Sequence, residues 1–303
     1  MIVNSILETI GKTPMIDVSE AFKVHAKLYV KVESFNPGGS VKDRIAFFMI
    51  KQAMSENKIN QNTHIIEPSS GNTGIGIAMV CAAYHLKCTI VMPDSMTLER
   101  RKLIQAYGAN LVLTPGEFGM KGSIAKANEL ANEESNTYIP MQFENPNNPL
   151  VHVQSTALEI LEDTHEQVDI FVAGSGTGGT LTGVGSVLKK VNPSVKIVAV
   201  EPEKSPVISK NVVGKHGIYG IGPGFVPKNL HVDVLDEIKT VSDEDAIKYT
   251  RLLASQCGIL VGVSSGAAFK IAYDYASNPS NANKTIVVVL PDTGERYLST
   301  KVF

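Results

Sequence analysis

A lysine that follows two glycines at the start of a predicted helix is the first feature of this sequence that could do chemistry. Lys42 stands in residues 36–44 (NPGGSVKDR), where a loop containing Pro37 and Gly38 leads into a helix expected to begin near Ser40. Helix N-termini favour anions, so a lysine in the first turn is electrostatically misplaced. Either its side chain is exposed and tolerates the position, or its amine lies near a bound anion and acts covalently.

Two further loops carry residue types that bind anions where a helix begins. Residues 67–74 (EPSSGNTG) follow one apolar run, and residues 174–180 (GSGTGGT) follow another. Glycine, serine and threonine at such places present backbone N–H groups to a carboxylate or a phosphate. Helix capping by Ser69 or Ser70 explains the first loop equally well. The second loop is richer in glycine than a cap requires.

The second loop also fits a different cofactor. Gly174, Gly176 and Gly179 match the GxGxxG pattern, and Glu201 ends the next predicted strand, where a dinucleotide-binding fold places an acid for the ribose. A nicotinamide-dependent oxidoreductase is therefore an alternative, although it leaves Lys42 and the serine-rich loop unexplained. A fourth segment, residues 261–267 (VGVSSGA), enters a predicted helix, and helix capping by Ser264 or Ser265 accounts for it when it is taken alone.

The elements that must position these loops alternate between short apolar runs and longer amphipathic stretches. The nearly continuous Val and Ile runs indicate strands buried on both faces, as in parallel sheets. The predicted strands are 27–33, 64–68, 88–93, 110–115, 169–174, 196–202 and 285–291. The predicted helices are 41–57, 73–86, 97–107, 120–135, 149–162, 180–191, 242–256 and 265–277. This alternation predicts an α/β fold with mostly parallel sheets, with ligands at the carboxyl ends of the strands.

Composition and charge argue against several other classes of protein. The net charge is −2 and the basic residues are dispersed, which gives no support to binding of nucleic acid or of an anionic membrane surface. No apolar stretch approaches the ~20 residues that span a bilayer, and residues 1–14 lack the pattern of a signal peptide. Cys81, Cys88 and Cys257 form no CxxC pair and the seven histidines are scattered, so we expect buried free thiols and no metal site.

Taken together, these segments make the sequence similar to the cysteine synthase (O-acetylserine sulfhydrylase) family, which belongs to the fold-type II pyridoxal phosphate enzymes. The similarity runs nearly end to end, with nine motifs in the family's order. The motifs are IGKTP, NPGGSVKDR, EPSSGNTG, MTLERRKLIQAYGANLVLTPGEFGMKGSIAKA, QFENPNNP, GTGGT, GIGPGF, ILVGVSSGAA and PDTGERYLST. Nine motifs in order outweigh the single glycine pattern that favours a nicotinamide cofactor.

The resemblance implies a role for each matching residue. Lys42 would carry the pyridoxal 5′-phosphate as a Schiff base, Asn72 would hydrogen-bond its ring hydroxyl, and Ser264 would face its pyridine nitrogen. The loop of Gly176, Thr177, Gly178, Gly179 and Thr180 would bind the cofactor phosphate. The substrate contacts would come from Ser69, Ser70, Asn72, Thr73, Gln142 and Gly220. No metal is implied.

The resemblance also implies the architecture, which is two three-layer α/β/α domains of the tryptophan synthase β type. Residues 142–149 (QFENPNNP) are the best internal boundary, because prolines and asparagines separate two helical stretches. A smaller, mobile domain would comprise residues 1–11 and 36–146, and a larger domain binding the cofactor phosphate would comprise residues 12–35 and 147–303.

The activity implied is β-replacement that makes L-cysteine from O-acetyl-L-serine and sulfide through an aminoacrylate. The alternatives within the same chemistry are a cysteine desulfhydrase or lanthionine synthase, and β-replacement of the cystathionine β-synthase type. The family also implies a cytoplasmic homodimer, and it includes members that bind the C-terminal tail of serine acetyltransferase. Residues 206–219 (PVISKNVVGKHGIY) depart most from the family pattern, and this puts the choice of substrate in doubt.

Overall fold

A computed structural model describes residues 2–303 and divides the chain into two compact units. Unit 1 comprises Met1–Ile10 and Asn36–Asn147, and unit 2 comprises Gly11–Phe35 and Asn148–Phe303. Each unit contains its own sheet and its own hydrophobic core. The mobility predicted for the smaller domain and the phosphate-binding role predicted for the larger one stay predictions.

Unit 1 is built on a four-stranded parallel sheet with helices on both faces. The strands have the order β5-β4-β3-β6. They are β3 (His64–Pro68), β4 (Cys88–Pro93), β5 (Asn110–Thr114) and β6 (Thr137–Tyr138). The helices are α1 (Lys42–Ser55), α2 (Asn72–Tyr84), α3 (Leu98–Ala106) and α4 (Gly119–Glu133), with α5 (Asn147–Val151) at the boundary. On β3, Ile65 packs into one core and Ile66 into the other, which explains why both positions are apolar.

Unit 2 is built on a six-stranded sheet in the order β1-β2-β10-β7-β8-β9. The strands are β1 (Met15–Asp17), β2 (Lys27–Val32), β7 (Ile170–Gly174), β8 (Lys196–Pro202), β9 (Glu237–Val241) and β10 (Thr285–Leu290). The helices are α6 (Ala157–Asp163), α7 (Gly179–Val191), α8 (Val207–Lys210), α9 (Asp243–Cys257) and α10 (Val263–Ser277). Only β1 runs antiparallel to its neighbour in this sheet.

The two faces of the unit 2 sheet are both covered by helices. Along β7, Ile170 and Val172 pack into the core that includes α9 and α10, whereas Phe171 and Ala173 pack into the core that includes α6 and α7. Each fully buried Val or Ile removes enough apolar surface from water to contribute about 1.5–3 kcal/mol. The predicted α/β fold with mostly parallel sheets is confirmed. The apolar runs in the sequence are continuous because both faces of the central strands are buried.

Three strands escaped sequence-based prediction, and one was misinterpreted. β1, β6 and β9 are short edge strands, so they lack the long apolar run of a central strand. β5 was expected to be buried on both faces, but it is also an edge strand and its Leu113 is 44% exposed. Ser242 caps the start of α9, since its side chain accepts a hydrogen bond from the Asp245 N–H.

Three further findings concern the cysteines, the helices and groups of metal-ligating side chains. All three cysteines are free; Cys81 and Cys88 are buried, but Cys257 is only half-buried, contrary to the expectation of buried thiols. Within residues 2–303, the helices are too short or too polar to cross a membrane. The same part of the chain brings together no cluster of three or more His, Cys, Asp or Glu side chains suited to a metal ion.

Candidate active site

The turn that precedes α1 is shaped by glycine and delivers Lys42 as the first residue of the helix. The Gly39 N–H donates to the Asn36 carbonyl at 2.7 Å, and Gly39 has a left-handed φ of +79°. The Gly38 N–H donates to Asp43 Oδ2 at 2.7 Å, and a Cβ on Gly38 would lie 2.6 Å from Asp43 Oδ1. The helix begins at Lys42, two residues after the Ser40 start expected from the loop and one residue after the start of the predicted helix 41–57. Lys42 is half-buried in its first turn.

The second turn of α2 packs directly on the start of α1. A Cβ on Gly76 would lie 3.2 Å from the Lys42 carbonyl oxygen and 3.1 Å from Ala46 Cβ. Gly76 stands one helical turn after Asn72, which is the first residue of α2. The close approach of the two helices therefore brings Lys42 into the neighbourhood of the loop that opens α2.

The loop before α2 uses some of its hydroxyls for its own structure. Ser69 Oγ accepts hydrogen bonds from the Gly74 N–H at 2.9 Å and the Gly71 N–H at 3.3 Å, and Ser69 is 2% exposed. Ser70 is exposed and Asn72 is half-buried. Ser69 therefore caps the start of α2. Its oxygen already accepts two hydrogen bonds, so only its O–H is left to donate one to a ligand.

Gln142 lies in a different part of the sequence but shares this site. The Thr73 hydroxyl donates to Gln142 Oε1 at 2.6 Å, and both side chains are buried. The backbone N–H groups of Met141 and Gln142 donate to the buried carboxyl of Glu67. Five of the six predicted substrate contacts, Ser69, Ser70, Asn72, Thr73 and Gln142, therefore lie in unit 1, together with Lys42.

Arg100 is a residue near this loop to which the sequence argument gave no role. A Cβ on Gly71 would lie 3.0 Å from Arg100 Nε, and Arg100 is only 2% exposed. A guanidinium keeps its positive charge when buried, so it adds to the favourable potential for an anion at the start of α2. The two adjacent arginines of the MTLERRK motif were the sequence feature that could have indicated this role.

The glycine-rich loop before α7 has no room for side chains at its central positions. A Cβ on Gly176 would lie 2.5 Å from the Gly220 carbonyl oxygen, and one on Gly179 would lie 1.9 Å from Asn148 Oδ1. Gly178 has a left-handed φ of +83°, and its Cβ would lie 2.5 Å from Leu230 Cβ. No side chain caps the N-terminus of α7 at Gly178. The backbone therefore stays accessible to a ligand at the positive end of the helix dipole.

Two residues outside this loop orient its threonine hydroxyls. Asn148 Nδ2 donates to Thr177 Oγ1 at 2.9 Å, and Asn148 is fully buried. His152 Nε2 lies 3.4 Å from Thr180 Oγ1, and His152 begins a π-helical segment, His152–Thr156. Because Asn148 donates to the Thr177 oxygen, the Thr177 O–H points to a different acceptor. A π-helical insertion at such a place is common near functional sites.

Ser264 and Gly220 approach each other in the same unit. Ser264 is buried in the first turn of α10, and a Cβ on Gly220 would lie 3.4 Å from its Oγ. Gly220 has a left-handed φ of +98° and its carbonyl lies beside Gly176. Unit 2 therefore brings Gly220, Ser264 and the loop 176–180 together.

These residues fit a phosphorylated cofactor. The glycines present backbone N–H groups at the start of α7, where a Cβ at Gly176, Gly178 or Gly179 would collide with neighbouring protein atoms, and Ser175 Oγ is buried in this loop without a hydrogen-bond partner. Dianionic phosphate is the group that such donors bind best. A half-buried lysine amine in unit 1 provides the nucleophile that an aldehyde cofactor requires.

The glutamate expected to bind a nucleotide ribose is engaged elsewhere. Glu201 is 1% exposed, and its carboxylate accepts hydrogen bonds from the Ile208 N–H at 2.8 Å and the Ser209 N–H at 3.1 Å. Glu201 therefore caps α8, the short helix at the start of the atypical segment 206–219. This arrangement removes the main support for a nicotinamide cofactor.

Comparisons with known proteins agree with the site. Residues 6–292 match the model of the family described as pyridoxal-phosphate dependent enzymes. A cysteine synthase of Staphylococcus aureus is 50% identical, over 99% of this chain and 97% of the relative. Two solved structures are also similar.

The first of these structures is a cysteine synthase of Entamoeba histolytica, with a TM-score of 0.96 and 41% identity, covering 100% of this chain and 91% of that one. The second is a hydrogen sulfide-producing enzyme of Fusobacterium nucleatum, with a TM-score of 0.95 and 43% identity, covering 98% and 100%. The chain belongs to the pyridoxal-phosphate dependent enzyme family. The predicted fold type, enzyme class and cofactor are confirmed.

Proposed function

We propose that this enzyme makes L-cysteine from O-acetyl-L-serine and sulfide by β-replacement. The observation that carries the proposal is the packing of Lys42 against α2, whose N-terminal loop holds hydroxyl and amide groups suited to an amino-acid carboxylate. The identity to a curated cysteine synthase over nearly the full length of both chains supports the same reaction.

Lys42 has two tasks in this proposal. Its amine would hold the cofactor covalently, and as a free amine it would take the substrate α-proton as general base. The bound cofactor supplies an electron sink for the charge that develops at the α-carbon. Lys42 then returns a proton when the new side chain has formed.

The α2 loop binds and orients the substrate carboxylate. The dipole of α2 and the backbone N–H groups at its start attract the carboxylate, and the buried charge of Arg100 reinforces them. The Ser69 and Ser70 hydroxyls, the Asn72 side chain and the Thr73 backbone N–H would donate hydrogen bonds, with the Gln142 amide held beside them by the Thr73 hydroxyl. Fixing the carboxylate fixes the α-carbon for proton transfer.

Unit 2 supplies the residues for the cofactor itself. The backbone of Gly176–Gly179 and the hydroxyls of Thr177 and Thr180 would bind its phosphate, with Asn148 and His152 holding the hydroxyls in place. Ser264 would donate to the ring nitrogen, and Gly220, whose left-handed φ of +98° favours glycine, would line the site beside Ser264. A neutral serine makes the ring a milder electron sink than an aspartate would, which suits elimination at the β-carbon.

Hydrogen sulfide production is the second candidate. It is favoured by the similarity to the Fusobacterium nucleatum enzyme and by the departure of residues 206–219 from the usual pattern. The same lysine and the same carboxylate loop would serve, with cysteine as the substrate and sulfide as the leaving group.

We propose further that the enzyme acts as a cytoplasmic homodimer. The support is the full-length similarity to the family, and size-exclusion chromatography with light scattering would measure the mass of the assembly. Binding of a serine acetyltransferase C-terminal tail is the remaining proposal for a partner. A peptide ending in that tail should compete with O-acetylserine if it occupies the substrate loop.

One pair of measurements tests the two candidate functions. O-acetylserine and then L-cysteine are added separately to the holoenzyme, while the visible cofactor band and the release or uptake of sulfide are followed. A band change with O-acetylserine that sulfide reverses, with cysteine as product, supports cysteine synthesis. Steady sulfide release from cysteine assigns the enzyme to degradation. A protein with no cofactor band after incubation with pyridoxal phosphate would contradict both candidates.

A further inference from the structure

Glu67 is a buried carboxyl beside the substrate loop that the proposed mechanism does not use. It is the penultimate residue of β3, and its side chain is 1% exposed. Burial raises the pKa of Glu67 to about 8, although hydrogen bonds from Met141 and Gln142 act in the opposite direction. A group so costly to bury needs a structural or functional reason for its place.

The Glu67 carboxyl holds one turn of the backbone through two neighbouring N–H groups. Oε2 accepts from the Met141 N–H at 3.1 Å, and Oε1 accepts from the Gln142 N–H at 3.4 Å. Met141 has a left-handed φ of +59°, which is unfavourable for a residue with a side chain. The Met141 side chain is 50% exposed, so its packing holds the turn less firmly than that of a buried side chain would.

The turn in question carries Gln142 into the substrate site. Gln142 Oε1 accepts the Thr73 hydroxyl at 2.6 Å, which commits the oxygen of the amide and fixes the direction of its Nε2 end. Thr73 is the second residue of α2, within the loop assigned to the substrate carboxylate. A chain of contacts thus runs from Glu67 through the Gln142 backbone to the Gln142 and Thr73 side chains.

We propose that Glu67 is a positioning residue for substrate binding, and that it sets the Gln142 amide against the carboxylate of the amino-acid substrate. This inference rests on the proposed function, because it takes Gln142 and Thr73 as carboxylate contacts. Glu67 itself touches neither substrate nor cofactor. It acts on the KM of the amino acid and not on the chemical step, since Lys42 and the cofactor residues are unchanged.

The test is a double-mutant cycle on the holoenzyme with Glu67→Gln and Gln142→Ala. Glu67→Gln keeps the shape but turns an amide N–H₂ toward one of the two backbone donors. It should raise the KM for O-acetylserine about tenfold while kcat changes less than about twofold. Gln142→Ala should raise KM by a similar factor, and the double variant should be no worse than Gln142→Ala alone.

Two readouts separate positioning from general support of the fold. Cofactor affinity, measured by titrating the apoprotein, should be unchanged in Glu67→Gln, because unit 2 is untouched. The control is Glu33→Gln, since Glu33 is a fully buried carboxylate that accepts the Thr13 hydroxyl at 2.7 Å and has no assigned role in binding. This control should lower thermal stability without raising KM.

The outcomes distinguish the inference from the function on which it rests. An unchanged KM in Glu67→Gln, beside a raised KM in Gln142→Ala, overturns the role of Glu67 alone, and so does full additivity in the double variant. An unchanged KM in Gln142→Ala overturns the assignment of Gln142 and the inference with it. If Glu67→Gln does not fold, Glu67→Asp decides, because it keeps the carboxyl but withdraws it by one methylene from both backbone N–H donors. It should raise KM about threefold, and an unchanged KM overturns the inference.

Discussion

The two loops that open α2 and α7 both offer helix N-termini to a ligand, but they differ in how far their N–H groups are already hydrogen-bonded. Both place backbone N–H groups at the positive end of a helix. The α2 loop is already partly satisfied from within, because Ser69 Oγ accepts two of its N–H groups. The α7 loop has no side-chain cap and is closed in by backbone and side-chain atoms where any Cβ would stand.

The difference matches the two kinds of ligand proposed for the loops. A substrate must bind and leave in every turnover, so a loop that is stable when empty and offers adjustable hydroxyl and amide groups is suitable. A cofactor phosphate stays bound through every turnover. A rigid loop whose N–H groups are left for the ligand to accept is therefore suitable. The hydroxyls of the α7 loop are held from outside, by Asn148 and His152. In the α2 loop, Ser69 Oγ accepts backbone N–H groups of the loop itself, and the Thr73 hydroxyl donates to Gln142.

The largest effect should come from removing the Lys42 amine. Lys42→Ala should lower the rate of cysteine formation by at least about 10³-fold, because general-base catalysis and covalent attachment are lost together. Lys51→Ala is the matched control, since Lys51 is exposed on the same helix. A Lys42 variant that retains more than a tenth of the activity would contradict the assignment.

The next effect tests the rigidity of the α7 loop. Gly178→Ala should weaken the affinity of the apoprotein for pyridoxal phosphate at least about tenfold, because the new Cβ would lie 2.5 Å from Leu230 Cβ. Gly258→Ala is the control, since Gly258 also has a positive φ but has open space around its Cβ position. Gly258→Ala should lose about 1 kcal/mol of stability in denaturant unfolding, and Gly178→Ala should lose more because of its clash with Leu230; only Gly178→Ala should lose cofactor affinity. Equal cofactor affinities would show that the loop is less rigid than the contacts indicate.

A pH series should reveal the buried carboxyl beneath the α2 loop. The pKa of Glu67 is about 8 in the folded protein, far above its value in the unfolded chain. Between the two pKa values, the folded state therefore keeps a proton on Glu67 that the unfolded state has lost. The contribution of protonated Glu67 to the unfolding free energy is fully present below the unfolded pKa. It is lost as the pH rises toward 8.

The unfolding free energy of the wild type relative to Glu67→Gln should thus fall between pH 5 and pH 8, by at most about 1.4 kcal/mol per pH unit. Denaturant unfolding of both proteins across this range measures the difference. A difference that grows with pH would mean that the carboxylate is ionised and stabilised by its two N–H donors. Among the neighbouring groups, a hydrogen bond with Cys81 and burial raise the pKa of Cys88, and burial raises the pKa of Tyr138, with a smaller contribution from Glu67 to each.

The smallest effect concerns the internal cap of the α2 loop. Ser69→Ala should cost about 1 kcal/mol of stability, because it removes the acceptor of the Gly74 N–H. Ser70→Ala should cost much less, since Ser70 is exposed. Both variants should raise the KM for O-acetylserine if both hydroxyls bind the carboxylate. Equal stability of the two variants would contradict the capping role of Ser69.

Much of the fold could be predicted from the sequence, and the reason is local. Continuous Val and Ile runs such as residues 196–202 and 285–291 can be satisfied only by burial on both faces of a parallel sheet, so they fixed the central strands. The edge strands β1, β6 and β9 lack this signal because one side of each faces no neighbouring strand. The loops at the starts of α1, α2 and α7 stood out by their glycine and hydroxyl residues alone.

The sequence by itself determined which short segments carry the chemistry and, through the order of its motifs, the family to which they belong. Only the tertiary structure decided which partners hold those segments in place. Asn148 beside Thr177, Arg100 beside Gly71 and Glu67 beneath Gln142 are contacts between residues 29 to 75 positions apart in the chain. Contacts at such separations depend on how helices and strands pack, and no local pattern of residue types encodes them.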